Sequence, residues 1–124
     1  MNSKETGKLG EEIAANYLQS KGYQILDRNF QRRVSRFLKS ELDIVAKKDD
    51  TICFIEVKAL RDSEFLPEEK VDFKKKRRLV KTAESWLMKK KIALDTKWQI
   101  DIVSVKIDSR LKKAKISHFE NAVS

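Results

Sequence analysis

In the apolar stretch "ICFIEVKAL", Ile52 to Leu60, one carboxylate and one ammonium stand two positions apart. In a strand, Glu56 and Lys58 share a face with Ile52 and Phe54, while Cys53, Ile55 and Val57 take the other. A short turn centred on Asp49 and Asp50 sets Asp43 of the preceding segment directly across from Glu56. Like charges facing each other across a strand pair are unfavourable and require a compensating cation. Hard carboxylate oxygens suit Mg²⁺ or Mn²⁺, which keep several waters and bind one or two carboxylates together with a phosphate. Lys58, one step along, would then lie near a metal-bound water or the attacked phosphate. The same register pairs Glu41 with Lys58, and a cross-strand salt bridge accounts for those two without any chemistry. An acidic residue two before a lysine also occurs four times, at Glu56, Glu68, Asp72 and Asp95, and only Glu56 lies in an apolar strand with a carboxylate opposite. From geometry alone, a metal site and a structural ion pair are equally open.

The elements that must position these residues follow from periodicity. Leu9, Ile13, Ala14, Tyr17 and Leu18 recur at helical spacing over Lys8 to Gln19, and Gly22 supplies the stop. Strands are expected over Tyr23 to Phe30, Leu42 to Lys47 and Ile52 to Leu60, followed by a loop from Arg61 to Glu69 that holds the only proline, Pro67. A second helix runs from Phe73 to Lys90 with Leu79, Val80, Ala83, Trp86 and Leu87 on its apolar face. Trp98 to Ile107 and Lys115 to Ala122 read as two further strands. The order α-β-β-β-α-β-β predicts an α/β fold with a mixed central sheet flanked by helices. On the first helix, Glu11 borders the apolar face; near a helix N-terminus a solvated carboxylate is also mildly favourable.

At 124 residues the chain is expected to form one domain, burying roughly two-thirds of the surface its unfolded form exposes. Lys and Arg outnumber Asp and Glu by 28 to 19, a net charge of +9, which favours a polyanionic partner. Nucleic acid is the first candidate; an acidic protein or an anionic surface fits the charge too. No apolar run approaches the length of a membrane span and no signal-peptide pattern is present, so a soluble, cytoplasmic protein is expected. Cys53 is the only cysteine and His118 the only histidine, which rules out an intramolecular disulfide, a cysteine-rich zinc site and the usual nucleophilic triads. His118 reads as structural or exposed, Trp86 and Trp98 as core, and Asp101 as either a support for the site or an edge cap.

Several ordered motifs together carry a resemblance that covers almost the whole chain. The segments "GKLGEEIAANYLQSKGYQILDRNF", "SELDIVAKKDDTICFIEVK", "KKKRRLVKTAESWL", "QIDIVSV" and "ISHFENAV" resemble the UPF0102 (YraN-like) family. That family looks like a small member of the PD-(D/E)xK nuclease superfamily, similar in layout to archaeal Holliday-junction resolvases. The resemblance implies a restriction-endonuclease-like αβββαβ core, Asp43 and Glu56 as ligands of Mg²⁺ or Mn²⁺, Lys58 as the catalytic lysine, and Glu11 of the "GxxGE" pattern as an additional acid. Two features depart from the family: Ser40 stands where glycine is usual, and the segment from Asn29 to Glu41 is several residues longer.

Basic residues fall in two groups. The run "KKKRR", Lys74 to Arg78, opens the second helix, where positive charge opposes the helix dipole. Lys75 lies one turn before Leu79 and matches the lysine of the family's "KxxRL" pattern, which Arg78 completes, so both are expected at a phosphate backbone. Arg32, Arg33, Arg36 and Lys39 offer a second contact surface. Such contacts position a nucleic acid without reading its sequence, and neither a base-reading motif nor an exposed aromatic platform is legible. The expected function is a metal-dependent endonuclease hydrolysing phosphodiester bonds in DNA, including branched or structured DNA. A homodimer is expected because so small a domain has little surface to grip a duplex. A basic nucleic-acid-binding module without turnover, and a module that meets an acidic protein, are the competing classes.

Overall fold

A computed structural model describes residues 2–61, 73–108 and 110–123. In chain order the elements are α1 (Ser3–Ser20), β1 (Gln24–Arg33), β2 (Lys39–Lys48), β3 (Thr51–Arg61), α2 (Phe73–Lys89), β4 (Lys97–Asp108) and β5 (Lys113–Phe119). The expected order is therefore found. The expected loop around Pro67 lies outside the described residues, apart from Arg61, which ends β3. The strands form one sheet in the order β1-β2-β3-β4-β5. β1, β2 and β3 run antiparallel, β3 and β4 are parallel, and β5 returns antiparallel to β4. The parallel step is the one that a crossover helix must make, and α2 makes it.

Alternation along the strands divides the core between the two faces of the sheet. On one face Ala14, Ala15 and Leu18 of α1 pack with Ile44, Cys53, Ile55, Val103 and Val105. On the other, Leu79, Ala83 and Trp86 of α2 pack with Val45, Ile52, Phe54 and Ile100. The two helices thus approach the sheet from opposite sides.

α1 begins earlier than its apolar spacing announces, because Asn2 caps it. The Asn2 side chain accepts from the Glu5 N–H at 2.8 Å, and Glu5 accepts from the Asn2 N–H at 3.1 Å. The helix also sits differently. Leu9, expected on the buried face, is 40 % exposed, whereas Thr6 and Gly10 are buried with Ala14, Ala15 and Leu18. Gly10 explains the rotation: a Cβ there would stand 2.5 Å from Ala59 Cβ of β3. The missing side chain lets α1 lie closely against β3, and the turn of the helix brings Glu11 toward the sheet.

Asp101 of β4 is fully buried. Its Oδ1 accepts from Gln99 Nε2 and from the Asn121 N–H, each at 2.9 Å, and its Oδ2 lies 2.9 Å from His118 Nε2. His118 Nδ1 meets the Tyr17 hydroxyl at 3.1 Å. A buried carboxylate needs partners of this kind, and here they tie β5 and the turn after it to β4 and α1. Asp101 therefore supports the fold rather than an edge, and His118 is structural. No helix among the described residues is long and apolar enough to cross a membrane.

Candidate active site

The turn between β2 and β3 has two residues, with Lys48 paired to Thr51 and Asp49 in the left-handed region at φ 54°. The register is the expected one, but the ladder is shorter. It runs from Lys48↔Thr51 to Ile44↔Ile55 and stops. β2 continues along β1 as far as Arg33↔Lys39, and β3 continues along β4 as far as Arg61↔Ile107. Each strand follows its other neighbour, so the two part just before Asp43 and Glu56. Asp43 is consequently not the ladder partner of Glu56, nor Glu41 of Lys58. Instead the Val57 N–H donates to Asp43 Oδ2 at 2.8 Å, bridging the fork with a side chain in place of a strand.

α1 adds a third and β2 a fourth acid to this fork. One carboxylate oxygen each from Glu11, Glu41 and Asp43 lie within 4.8 Å of one another. Asn29, with its amide nitrogen oriented to donate, reaches Oε1 of both Glu11 and Glu41 at 3.1 Å. Gln31 Nε2 donates to Glu41 Oε2 at 3.4 Å. Burial, with Glu56, Glu11 and Glu41 nearby, pushes the Asp43 carboxyl up to about 7, although the Val57 N–H opposes the rise. Glu11 is raised by burial and then by Glu41, while Arg28 pulls it down.

Glu56 stands on the α2 side of the fork. Among the described residues its Oε2 is buried without a hydrogen-bond partner, and Lys75 Nζ approaches it to 3.6 Å. Burial lowers the Lys58 pKa, and the neighbouring Lys75 lowers it further against the pull of Glu56 and Asp43. A cleft of about 410 Å³ collects Glu11, Glu41, Asp43, Glu56, Lys75 and Arg78. Its wall beyond them is Leu79 of α2 and, on the other side, Leu38 just before β2 with Lys39 and Ser40 at its start. Ser40 is buried and shares a 2.8 Å hydrogen bond with the Thr82 hydroxyl, which fastens this wall to α2. Arg32 and Arg33 of β1 pair with Ser40 and Lys39 of the cleft wall, and Arg36 follows in the connection to β2; none of the three lines the cleft itself.

Among the residues singled out from sequence, Glu11, Asp43, Glu56, Lys75 and Arg78 share this cleft, and Lys58 lies beside Lys75 and Glu56. Glu41 and Asn29 were not legible as members. Glu41 had a signal, since it lies two residues from Asp43 on the same strand face. Asn29 had none that is local: it reaches the acids from β1 in a left-handed conformation, φ 54°.

The carboxylate set fits a hard divalent cation. Three clustered acids, with an Asp43 carboxyl pushed up to about 7 by burial and its acidic neighbours, concentrate like charge that Lys75 offsets only in part, at Glu56 Oε2. The pattern of the uncharacterised protein family UPF0102 matches residues 10–105, which include all of these side chains. Over 121 residues the chain is 36% identical to a UPF0102 protein of Alkaliphilus oremlandii, covering 97% of this chain and 98% of that one. A UPF0102 protein of Clostridioides difficile is 37% identical over 98% of this chain and 99% of its own length. One of Syntrophomonas wolfei is 42% identical over 97% and 98%. From Glu11 in α1 to β4, the elements that build the cleft lie within the matched segment, and the chain belongs to the UPF0102 family.

Proposed function

We propose that this protein is a divalent-metal-dependent endonuclease that hydrolyses phosphodiester bonds in DNA, with a site of the PD-(D/E)xK type. The observation that carries the reading is the gathering of Glu11, Glu41 and Asp43 at a strand fork, with Glu56, Lys58, Lys75 and Arg78 around it. Asp43 and Glu56 would hold Mg²⁺ or Mn²⁺, with Glu11 and Glu41 as further ligands. When bound, the cation supplies Lewis-acid activation of water and neutralises phosphate charge.

The chain's own groups divide the remaining work. The Val57 N–H holds one Asp43 oxygen and thereby orients the other. Asn29 holds the Glu11 and Glu41 carboxylates together. Lys58 and Lys75 bring positive charge to the place where charge accumulates on phosphorus-bound oxygens during in-line attack. Arg78, at the cleft edge, contacts the phosphate backbone on either side of the scissile bond and fixes its register without reading sequence.

Calorimetric titration with Mn²⁺ and cleavage of labelled DNA in Mg²⁺ test this together. Asp43→Asn and Glu56→Gln should each lose metal affinity and cleavage while still binding DNA, because a negative charge near the phosphates has gone. Lys58→Ala should keep its metal and lose about 10²- to 10³-fold in cleavage rate. Equal Mn²⁺ affinity in wild type and both carboxylate variants, or no binding in any, overturns the nuclease reading and leaves a nucleic-acid-binding module.

A further inference from the structure

The β1–β2 hairpin ends in a feature that the hydrolytic site does not use. From Arg28 to Ser40 the chain carries Arg28, Arg32, Arg33, Arg36 and Lys39 and no carboxylate. The strands pair out to Arg33↔Lys39, and the Val34 and Ser35 N–H groups donate to the Leu38 carbonyl at 2.8 and 3.1 Å, which closes a tight tip. Arg33 Nη1 donates to the Arg36 carbonyl at 3.3 Å and braces it. Phe37 stands on this tip 91 % exposed, flanked by Val34 and Leu38 at 37 % and 40 %. The chain thus has an exposed aromatic after all, at a position between the expected strands where spacing alone gives Phe37 no face.

A phenylalanine this exposed gives the core nothing. Its ring is exposed on a hydrogen-bonded tip whose neighbours along the chain, Arg33, Arg36 and Lys39, are cations, and that pairing of stacking surface and positive charge suits unpaired nucleic acid. Inside a duplex the base faces are already covered by their neighbours. A ring at the tip therefore stacks at least cost where the duplex is already open, since wedging between paired bases must first unstack them. Position connects this with the cleft: Leu38 and Lys39, next to Phe37, form the wall that continues through Ser40 to Glu41 and Asp43.

We propose that Phe37 stacks on an unpaired base at a junction between double- and single-stranded DNA, and so sets the phosphates of that junction in the carboxylate cleft. Forked or flapped DNA is then the preferred substrate. This rests on the nuclease reading for its consequence, and on the hairpin alone for binding.

The test measures binding without turnover, by fluorescence anisotropy in EDTA, on a forked duplex and a blunt duplex of equal length. Wild type should bind the fork several-fold more tightly. Phe37→Ala should weaken fork binding about tenfold and leave blunt-duplex binding within about twofold, whereas Phe37→Trp should keep the preference. If Phe37→Ala weakens both equally, or neither, or if no DNA binds and only an acidic protein does, the proposal is overturned. Cleavage in Mg²⁺ separates the two readings. Turnover that is indifferent to Phe37 removes the stacking role and leaves the nuclease; a Phe37-dependent fork preference without turnover supports the stacking role and removes the nuclease.

Discussion

Asp43 is half-buried among carboxylates, and its folded-state pKa of about 7 stands well above the ordinary 3.8. A raised pKa means that the folded chain holds this proton more tightly than the unfolded chain does. Stability from this group is therefore full below about pH 4 and declines as pH rises toward 7, by on the order of 4 kcal/mol at most. Asp43→Asn keeps an oxygen for the Val57 N–H and carries no charge. It should melt at a higher temperature than wild type at pH 8 without metal, and the difference should shrink toward zero at pH 4. Mg²⁺ should raise the wild-type melting temperature at pH 8 and leave the variant where it is. A variant less stable than wild type at pH 8 would show that the carboxylate is welcome in its site, and the case for a compensating cation would lose its electrostatic support.

The contact between α1 and β3 is set by one missing side chain. Gly10→Ala would place a methyl 2.5 Å from Ala59 Cβ, on a strand that cannot yield as a flexible side chain would. Overpacking of this kind costs about 1–3 kcal/mol. Because Glu11 is the next residue, the same shift should also loosen the acid cluster and weaken Mn²⁺ binding. Gly7 lies in the same helix, where an added Cβ would meet nothing within 4 Å among the described residues. There, alanine should stabilise by about 0.5–1 kcal/mol through helix propensity alone. Thermal melts of the two variants should move in opposite directions; two shifts of the same sign would mean that α1 does not need the close approach.

For the molecule as a whole, the net charge of +9 coexists with a cluster of acids in the cleft between the hairpin and α2. Of the cations, Lys75 and Arg78 line that cleft on the α2 side, and Arg33 pairs with Lys39 of its wall at the end of the β1–β2 ladder. DNA binding should therefore depend steeply on salt. Replacing Arg78 or Arg33 with alanine should reduce the slope of log K against log[salt] by about one unit each, equally on unrelated sequences. An unchanged slope in both variants would move the DNA to another face.

Periodicity alone determined the elements and their order. Apolar spacing marks α1, α2 and the strands, because helices and strands repeat with different periods whatever surrounds them. The Asp49–Asp50 turn likewise determined the β2–β3 register, since a two-residue turn leaves one way to pair Lys48 with Thr51. Where that ladder stops was decided only in three dimensions, by the pull of β1 on one strand and β4 on the other. The stopping point turns Asp43 from a cross-strand partner of Glu56 into a fork residue bonded to Val57 and grouped with Glu11 and Glu41. The rotation of α1 about Gly10, the reach of Asn29 from β1 and the exposure of Phe37 belong to the same class. Each depends on what the rest of the chain places next to a residue, and a residue's type and spacing do not record its neighbours in space.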